Sequence, residues 1–345
     1  MRYAAALSEA ERLLDDRLFL LREYLQDPSV TEVMINTGEQ IFIERAGQMS
    51  RVDVRLDDDA IESAIRAVMM LNDKETTQIM DARLSGLRIA AALPPVAVHG
   101  PMIVIRKHAR HRIGLDDYVA SGSFDRVPDP HQDNGAARAL EVEAAAANGG
   151  AGLAEFLRWA IRARRNILVA GGTGSGKTTL LSACLAEIPP EDRVITCEDT
   201  NELASITPNC VQFEAMPTRN ITIRDLIRLC LRSRPDRIIV GEIRGPEAFD
   251  FLDAMNTGHP GSLCTLHADS PEQALTRLES LMRMSPATSN LPLRDMRAQI
   301  ASAIHYVVFQ ARVGGSRAPQ KVLALDGLDD EGRYRTRTVF DRLFV

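Results

Sequence analysis

The chain is 345 residues long, with 45% hydrophobic and 26% charged residues and a formal net charge of −6. That length accommodates two domains of ordinary size, and the acidic balance argues against a dedicated duplex-DNA binder. The cysteines, Cys184, Cys197, Cys210, Cys230 and Cys264, form no C-x-x-C pair, which excludes a recognisable zinc or disulfide framework and fits a reducing compartment.

No stretch reads as a membrane span. The most apolar region, 89–105, is broken by Pro94, Pro95, His99 and Pro101. Acids and bases run through the N-terminal segment, unlike a signal peptide. The expectation is a cytoplasmic protein that reaches a membrane only through partners.

In chain order, residues 1–112 read as a small α+β domain. Ser8 and Glu11 make a capping-box pattern, and Leu14, Leu18, Leu21 and Leu25 mark one helical face. Residues 32–36 and 40–45 alternate around Thr37-Gly38 as a β-hairpin. A helix is expected over 57–71, and strands over 86–93 and 102–106. Residues 113–152, rich in Pro, Gly, Ser and Asp and then in Ala and Gly, read as an interdomain linker with one loosely specified helix. From 153 to 345 helices and strands alternate, the pattern of a parallel sheet. Strands are expected at 166–170, 193–197, 237–241 and 262–266. Helices are expected at 153–164, 222–233, 246–256, 271–284 and 291–304. The tail, 305–340, has strand-like runs joined at Gly314-Gly315 and Gly327.

Residues 171–178 read Gly-Gly-Thr-Gly-Ser-Gly-Lys-Thr, between an apolar run and a helical pattern that includes Leu181, Cys184, Leu185 and Ile188. Strand, glycine-rich loop and helix together are the setting of a phosphate site. The glycines let backbone N–H groups turn toward a polyphosphate, and the helix presents its positive end. Nucleotide is thus expected on Gly172, Thr173, Gly174, Ser175, Gly176, Lys177, Thr178 and Thr179. Lys177 would reach the β and γ phosphates, and the Thr178 hydroxyl would sit on Mg²⁺.

Three further motifs narrow the chemistry. Glu198-Asp199 follows a strand, where adjacent carboxylates face the ligand crevice of an open sheet. One could orient water while the other organises Mg²⁺. Within 235–245 a run of branched apolar residues ends in an acid, Glu242, a Walker B pattern expected on the neighbour of the phosphate-loop strand. Gly241 stands where many such enzymes carry a metal-directed Asp, so Glu242 would act on Mg²⁺ through water. In 256–268, His267 ends a β-like run and could sense the γ phosphate, whereas His259 can simply serve the Gly258/Gly261 turn. Arg224, Arg228 and Arg232 share a helical face. They are either a solvated stripe or the source of an arginine acting across a subunit interface. Arg88 and Arg106 lie on expected strands and could cover phosphates.

The strings GGTGSGKTT, CEDTNEL, RPDRIIVGEIRG and NTGHPGSLCTLHADSP, in that order, resemble the Walker A, Asp box, Walker B and His box of the secretion traffic ATPases, a RecA-like P-loop class. The match is dense over 153–310 and weaker before it. The string LDDYV at 115–119, after Ile105-Arg106-Lys107, is similar to the TrbB-like conjugal transfer ATPases of the type IV secretion branch. The resemblance implies an ATPase forming a homohexameric ring at the cytoplasmic face of an inner-membrane channel, with nucleotide between two domains of a subunit. It implies Glu198 as base or water positioner, Glu242 and His267 as catalytic partners, and Arg88 and Arg106 as phosphate contacts. A pilus assembly or retraction ATPase and a nucleotide-gated scaffold ring are the alternatives. The tetracysteine element usual in type II relatives is absent, and the 134–152 stretch is longer than the usual linker.

Overall fold

The computed structural model describes residue 14 and residues 16–72, 77–84, 86–107, 114–125, 135–204 and 207–342. The Ser8–Glu11 capping box lies outside them. The chain divides into two compact units, Met1–Pro94 with Gly100–Ala139, and Pro95–His99 with Leu140–Val345.

The first unit holds a short helix α1 (Arg22–Gln26), strands β1 (Val30–Thr37), β2 (Gln40–Arg45) and β3 (Gln48–Arg51), and helix α2 (Asp58–Leu71). Strands β4 (Ile79–Leu84), β5 (Leu87–Ala92) and β6 (Met102–Lys107) and helix α3 (Leu115–Ala120) follow. The strands form one antiparallel sheet in the order β3-β2-β1-β6-β5-β4. Asp57 caps α2 by accepting from the Asp59 N–H. The apolar stripe Ile61, Ile65 and Val68 then packs with Val33, Ile35, Ile43, Ile89 and Ile105 of the sheet. Side chains alternate along a strand, so the residues between these core positions point to the other face. There the register sets Arg83 opposite Arg88, Arg88 opposite Arg106, and Arg106 opposite Glu32.

Helix α4 (Gly135–Ala146) enters the second unit at Leu140, and α5 (Gly150–Arg162), β7 (Ile167–Ala170), α6 (Lys177–Leu185), β8 (Val194–Glu198) and β9 (Cys210–Glu214) follow. The unit continues with α7 (Ile223–Cys230), β10 (Arg237–Val240), α8 (Glu247–Asn256), β11 (Leu263–Leu266), α9 (Pro271–Met282) and α10 (Leu293–Ala303). Three longer strands close it: β12 (Tyr306–Val313), β13 (Ser316–Leu328) and β14 (Tyr334–Asp341). The sheet order is β14-β13-β12-β7-β11-β10-β8-β9. The six strands from β12 to β9 run parallel, and β13 and β14 are antiparallel additions. Strands β7, β8, β10 and β11 are buried along their whole length, as the near-continuous apolar runs of a parallel sheet require.

Three expectations change. The stretch 113–152 is not a linker throughout: from Leu140 it belongs to the second unit. Val142 and Ala146 of α4 pack with Leu153 and Phe156 of α5 in its core. The buried Glu143 accepts from Tyr306 Oη at 2.7 Å and pairs with Arg337. Gly149 and Gly150 take positive φ between these helices, and a Cβ on Gly152 would lie 2.1 Å from Ala145 O. The glycines that resemble a tether are the requirements of a tight helix–helix turn. Second, the Walker B strand β10 does not border β7: β11 lies between them. Four-residue buried strands look alike in sequence, so their order is not legible from the pattern. Third, Gly327 lies within β13, and the last turn falls at 329–333, where Gly332 takes positive φ.

The strands start from a fixed base. Arg237 Nε donates to Asp192 at 2.7 Å and its NH1 to Ile161 O at 2.7 Å. Arg193 bonds Ser233 O and Asn209. These buried guanidinium groups tie the entrances of β8 and β10 together. The register is therefore set before the chain reaches the opposite edge.

Candidate active site

The register brings the motifs to one edge. Ala170 pairs with Leu266, Val240 with Cys264, and Cys197 with Val240. The residues just past these pairs are Gly171, His267, Gly241-Glu242 and Glu198-Asp199. Four sequence-distant motifs thus converge at the carboxyl ends of adjacent parallel strands, where open α/β sheets bind ligands.

The loop 171–176 is shaped by its glycines. Gly174 and Gly176 take φ of +67° and +90°, a region other residues enter only with strain. A Cβ on Gly171 would meet Gln310 O at 2.2 Å, while Cβ atoms on Gly172 and Gly174 would meet nothing. The loop is thus packed below and open above. Helix α6 starts at Lys177, so its first-turn N–H groups, which have no intrahelical acceptors, point into that opening. Ser175 Oγ is buried without a hydrogen-bond partner. A cradle of inward-facing donors is what a polyphosphate needs. Thr178 is half-buried in the first turn, and Thr173 and Thr179 are exposed.

Lys177 is buried, and its Nζ donates to Gly172 O at 3.0 Å and to His267 Nε2 at 3.5 Å. Burial lowers its pKa, opposed by the negative charge of Glu242 and reinforced by Arg244. His267 Nε2 also lies 2.9 Å from Glu242 Oε1. The same ring nitrogen accepts from the lysine in one tautomer and faces the carboxylate as a donor in the other. Arg244 NH2 donates to Glu242 Oε2 at 2.7 Å, and its NH1 lies 3.5 Å from Asp199. This contact with Glu242 is the first cause of the raised Arg244 pKa. Arg244 was not singled out in the sequence, although its place two residues after the Walker B acid was the available signal.

Glu198 is held differently. It is buried, and its Oε1 accepts from the Glu202 and Leu203 N–H groups, each at 3.2 Å. Burial raises its pKa, an effect offset in part by those two N–H groups and reinforced by Glu202 and Glu214. Gly241 makes room for it: a Cβ there would lie 2.9 Å from Glu198 Cγ. The missing Walker B aspartate and the position of Glu198 are therefore one fact.

Residues 133–315 match the family described as "Type II/IV secretion system protein". The chain is 35% identical over 314 residues to the conjugal transfer protein TrbB of Rhizobium radiobacter, covering 88% of this chain and 86% of that protein. It is 35% identical over 301 residues to the type IV secretion system protein VirB11 of Brucella suis, covering 84% of this chain and 82% of that protein.

The chain belongs to the type II/IV secretion system protein family.

The crystal structure of the VirB11 ATPase of Brucella suis in complex with sulphate superposes with a TM-score of 0.83 at 32% identity, covering 92% of this chain and 96% of that one. The secretion ATPase fold is thus shared by this chain, with its P-loop, RecA-like sheet and added antiparallel strands. The resemblance read from the four motif strings is borne out.

The remaining residues singled out in the sequence have other partners. His259 Nδ1 contacts Ala254 O at 3.1 Å, and its own carbonyl accepts from Ser262 Oγ at 2.8 Å, so it serves the turn. Arg224 and Arg228 both donate to Asp250, at 2.7 and 3.0 Å. Arg88 and Arg106 belong to the first unit. Arg88 lies 3.5 Å from Asp81 and Arg106 lies 3.4 Å from Glu32. With Arg83 they stand in one cross-strand row, in which Asp81 and Glu32 supply the opposite charge. Among the described residues, no helix is long and apolar enough to cross a membrane, and no cluster of three or more His, Cys, Asp or Glu could hold a metal.

Proposed function

We propose that the protein hydrolyses ATP as a homohexameric motor of conjugal transfer or type IV secretion, docked on inner-membrane channel proteins. The observation that carries this reading is the convergence of Lys177, His267, Glu242 and Glu198 around an open P-loop at one sheet edge. The kinship with TrbB and VirB11 supports the biological setting.

In this reading phosphate oxygens take the place of Gly172 O and His267 on Lys177, restoring the charge that burial disfavours. Glu198 accepts the proton of the attacking water, as its raised pKa suits a general base. Glu242 and His267 hold the γ-phosphate side of the site, and His267 changes partner when that phosphate leaves. The Thr178 hydroxyl, with Glu242 through water, is the donor set available to Mg²⁺, which suits an ion that keeps most of its ligands from water and phosphate. Held there, the ion would supply charge neutralisation to the phosphates. Arg88 and Arg106 are the proposed further phosphate contacts.

The test is the ATPase rate against protein concentration, with particle size measured in parallel. A specific rate that climbs as hexamer forms, and that is lost in Lys177→Ala, supports the motor. Full turnover by a monomer would break the ring, and turnover by Lys177→Ala would break the site.

A further inference from the structure

Glu198 is fixed by two backbone N–H groups, and those amides sit in a loop that must itself be held. A buried side chain of the next strand holds it. Gln212 of β9 lies beside Thr196 of β8 in the parallel register. Its Nε2 donates to Asn201 Oδ1 at 3.0 Å and to Leu203 O. Both donors of the amide are thus spent on the 199–204 loop, on either side of Glu202 and at the residue whose N–H reaches Glu198. The loop is also caught at its start, where the Asn201 N–H donates to Glu214 Oε2 at 2.9 Å.

The acceptor end of the Gln212 amide is used as well. Its Oε1 bonds His99 Nε2. His99 comes from the pentapeptide Pro95–His99, which belongs to the second unit. That segment lies along β9: Ala97 bridges Phe213, the Val98 N–H donates to Gln212 O at 3.1 Å, and the Glu214 N–H donates to Val96 O at 2.9 Å. An amide with its oxygen and both hydrogens engaged has one orientation open to it. The Leu203 carbonyl, which can only accept, turns the Nε2 end toward the loop, and the His99 ring engages the oxygen at the other end.

We propose that Gln212, with its amide oxygen held by His99, is the positioning residue that holds the Asp-box loop so that the Glu202 and Leu203 amides fix the Glu198 carboxylate. The inference rests on the reading of Glu198 as the base. Removing the Gln212 amide leaves Leu203 O and Asn201 Oδ1 without their donor in a dry site and frees the loop. Nucleotide affinity is untouched, because Gln212 contacts no residue of the P-loop.

The experiment is a steady-state ATPase double-mutant cycle on the full chain, with Gln212→Met and His99→Ala each placed in the wild-type and Glu198→Ala backgrounds. Fluorescent ADP affinity and thermal melting accompany each variant. For a residue acting through a general base, Gln212→Met lowers kcat about 10- to 100-fold with KM within about twofold. His99→Ala, which removes an exposed ring, lowers kcat by about 3- to 10-fold in the same pattern. In the Glu198→Ala background neither substitution lowers the residual rate further. An unchanged kcat in both single variants overturns the proposal, as does a loss of equal size in the two backgrounds. Should Gln212→Met melt early, Gln212→Glu keeps the bond to His99 and the side-chain size while removing both donors, and it carries the same expectation. Glu198→Ala at the wild-type rate would sink the base assignment by itself, before any combination is made.

Discussion

Glu198 and Glu242 end neighbouring parallel strands, yet they are held by opposite means. Glu242 is gripped by side chains: His267 at 2.9 Å and Arg244 at 2.7 Å, the latter largely exposed. Glu198 is buried and gripped by backbone amides alone. Side-chain ion pairs at a surface are weak and change partners at little cost, which suits a group that must respond when a phosphate arrives or leaves. Backbone amides closing on a buried carboxylate hold one geometry, which suits a group whose task is to aim at a water. The difference separates a sensing carboxylate from an aiming one.

The largest test of that separation removes each charge. Glu198→Gln is expected to lower kcat by about 10³-fold with nucleotide affinity retained, as for loss of a general base. Glu242→Gln is expected to cost about 10²-fold and also to weaken binding of ATP relative to ADP. Equal effects on both constants in the two variants would erase the distinction. A finer test moves Glu198 without altering it. Gly241→Ala places a Cβ 2.9 Å from Glu198 Cγ, and a shift of a fraction of an ångström is expected to cost about 10-fold in kcat with unchanged KM. Full activity would show that the carboxylate need not be aimed.

Smaller still is the effect of releasing the other carboxylate. Arg244→Ala removes an exposed partner of Glu242 and is expected to change kcat/KM by only about 2- to 5-fold, with a reduced dependence on salt. A loss as large as that of Glu242→Gln would make Arg244 part of the chemistry. The last effect is one of stability. Because the folded-state pKa of Glu198 is raised, mainly by burial, the folded protein favours the protonated form. The stability this contributes is present below the unfolded pKa and lost as pH rises through the folded one. Glu198→Gln is therefore expected to raise the melting temperature at pH 8 by roughly 1–3 °C. The gain should shrink toward zero as pH falls below the unfolded value near 4.5. A constant gain at all pH values would assign it to packing instead. Turnover should rise with pH across the same window.

The chemistry of the edge was legible because each motif names its own local geometry. Glycines at 174 and 176 announce positive φ, and the branched run 238–240 announces a buried strand that ends at Glu242. The antiparallel first sheet was half legible, since β1, β2, β5 and β6 alternate or run apolar, while β3 carries Met49 as its one apolar residue and β4 mixes Asp81 and Arg83 into its apolar run. What pattern could not supply was adjacency. Nothing local says that β11 separates β7 from β10, or that Gln212 and His99, 113 positions apart, share a hydrogen bond. The join 140–152 misled because alanine and glycine mark flexible tethers and close helix packing alike, and only Val142, Leu153 and Phe156 hint at the second.

The pentapeptide Pro95–His99 makes this a protein that cannot be cut into its units with one pair of scissors. The chain leaves the first unit at Pro94, lends five residues to the edge of β9 and returns at Gly100. A fragment starting at residue 113 or 140 would retain all four nucleotide motifs yet expose the β9 edge, an invitation to self-pairing. By the same logic, recombination that exchanges everything before residue 113 between relatives also exchanges the segment that covers the β9 edge. A chimera is therefore expected to fold only when the borrowed pentapeptide fits the recipient's β9.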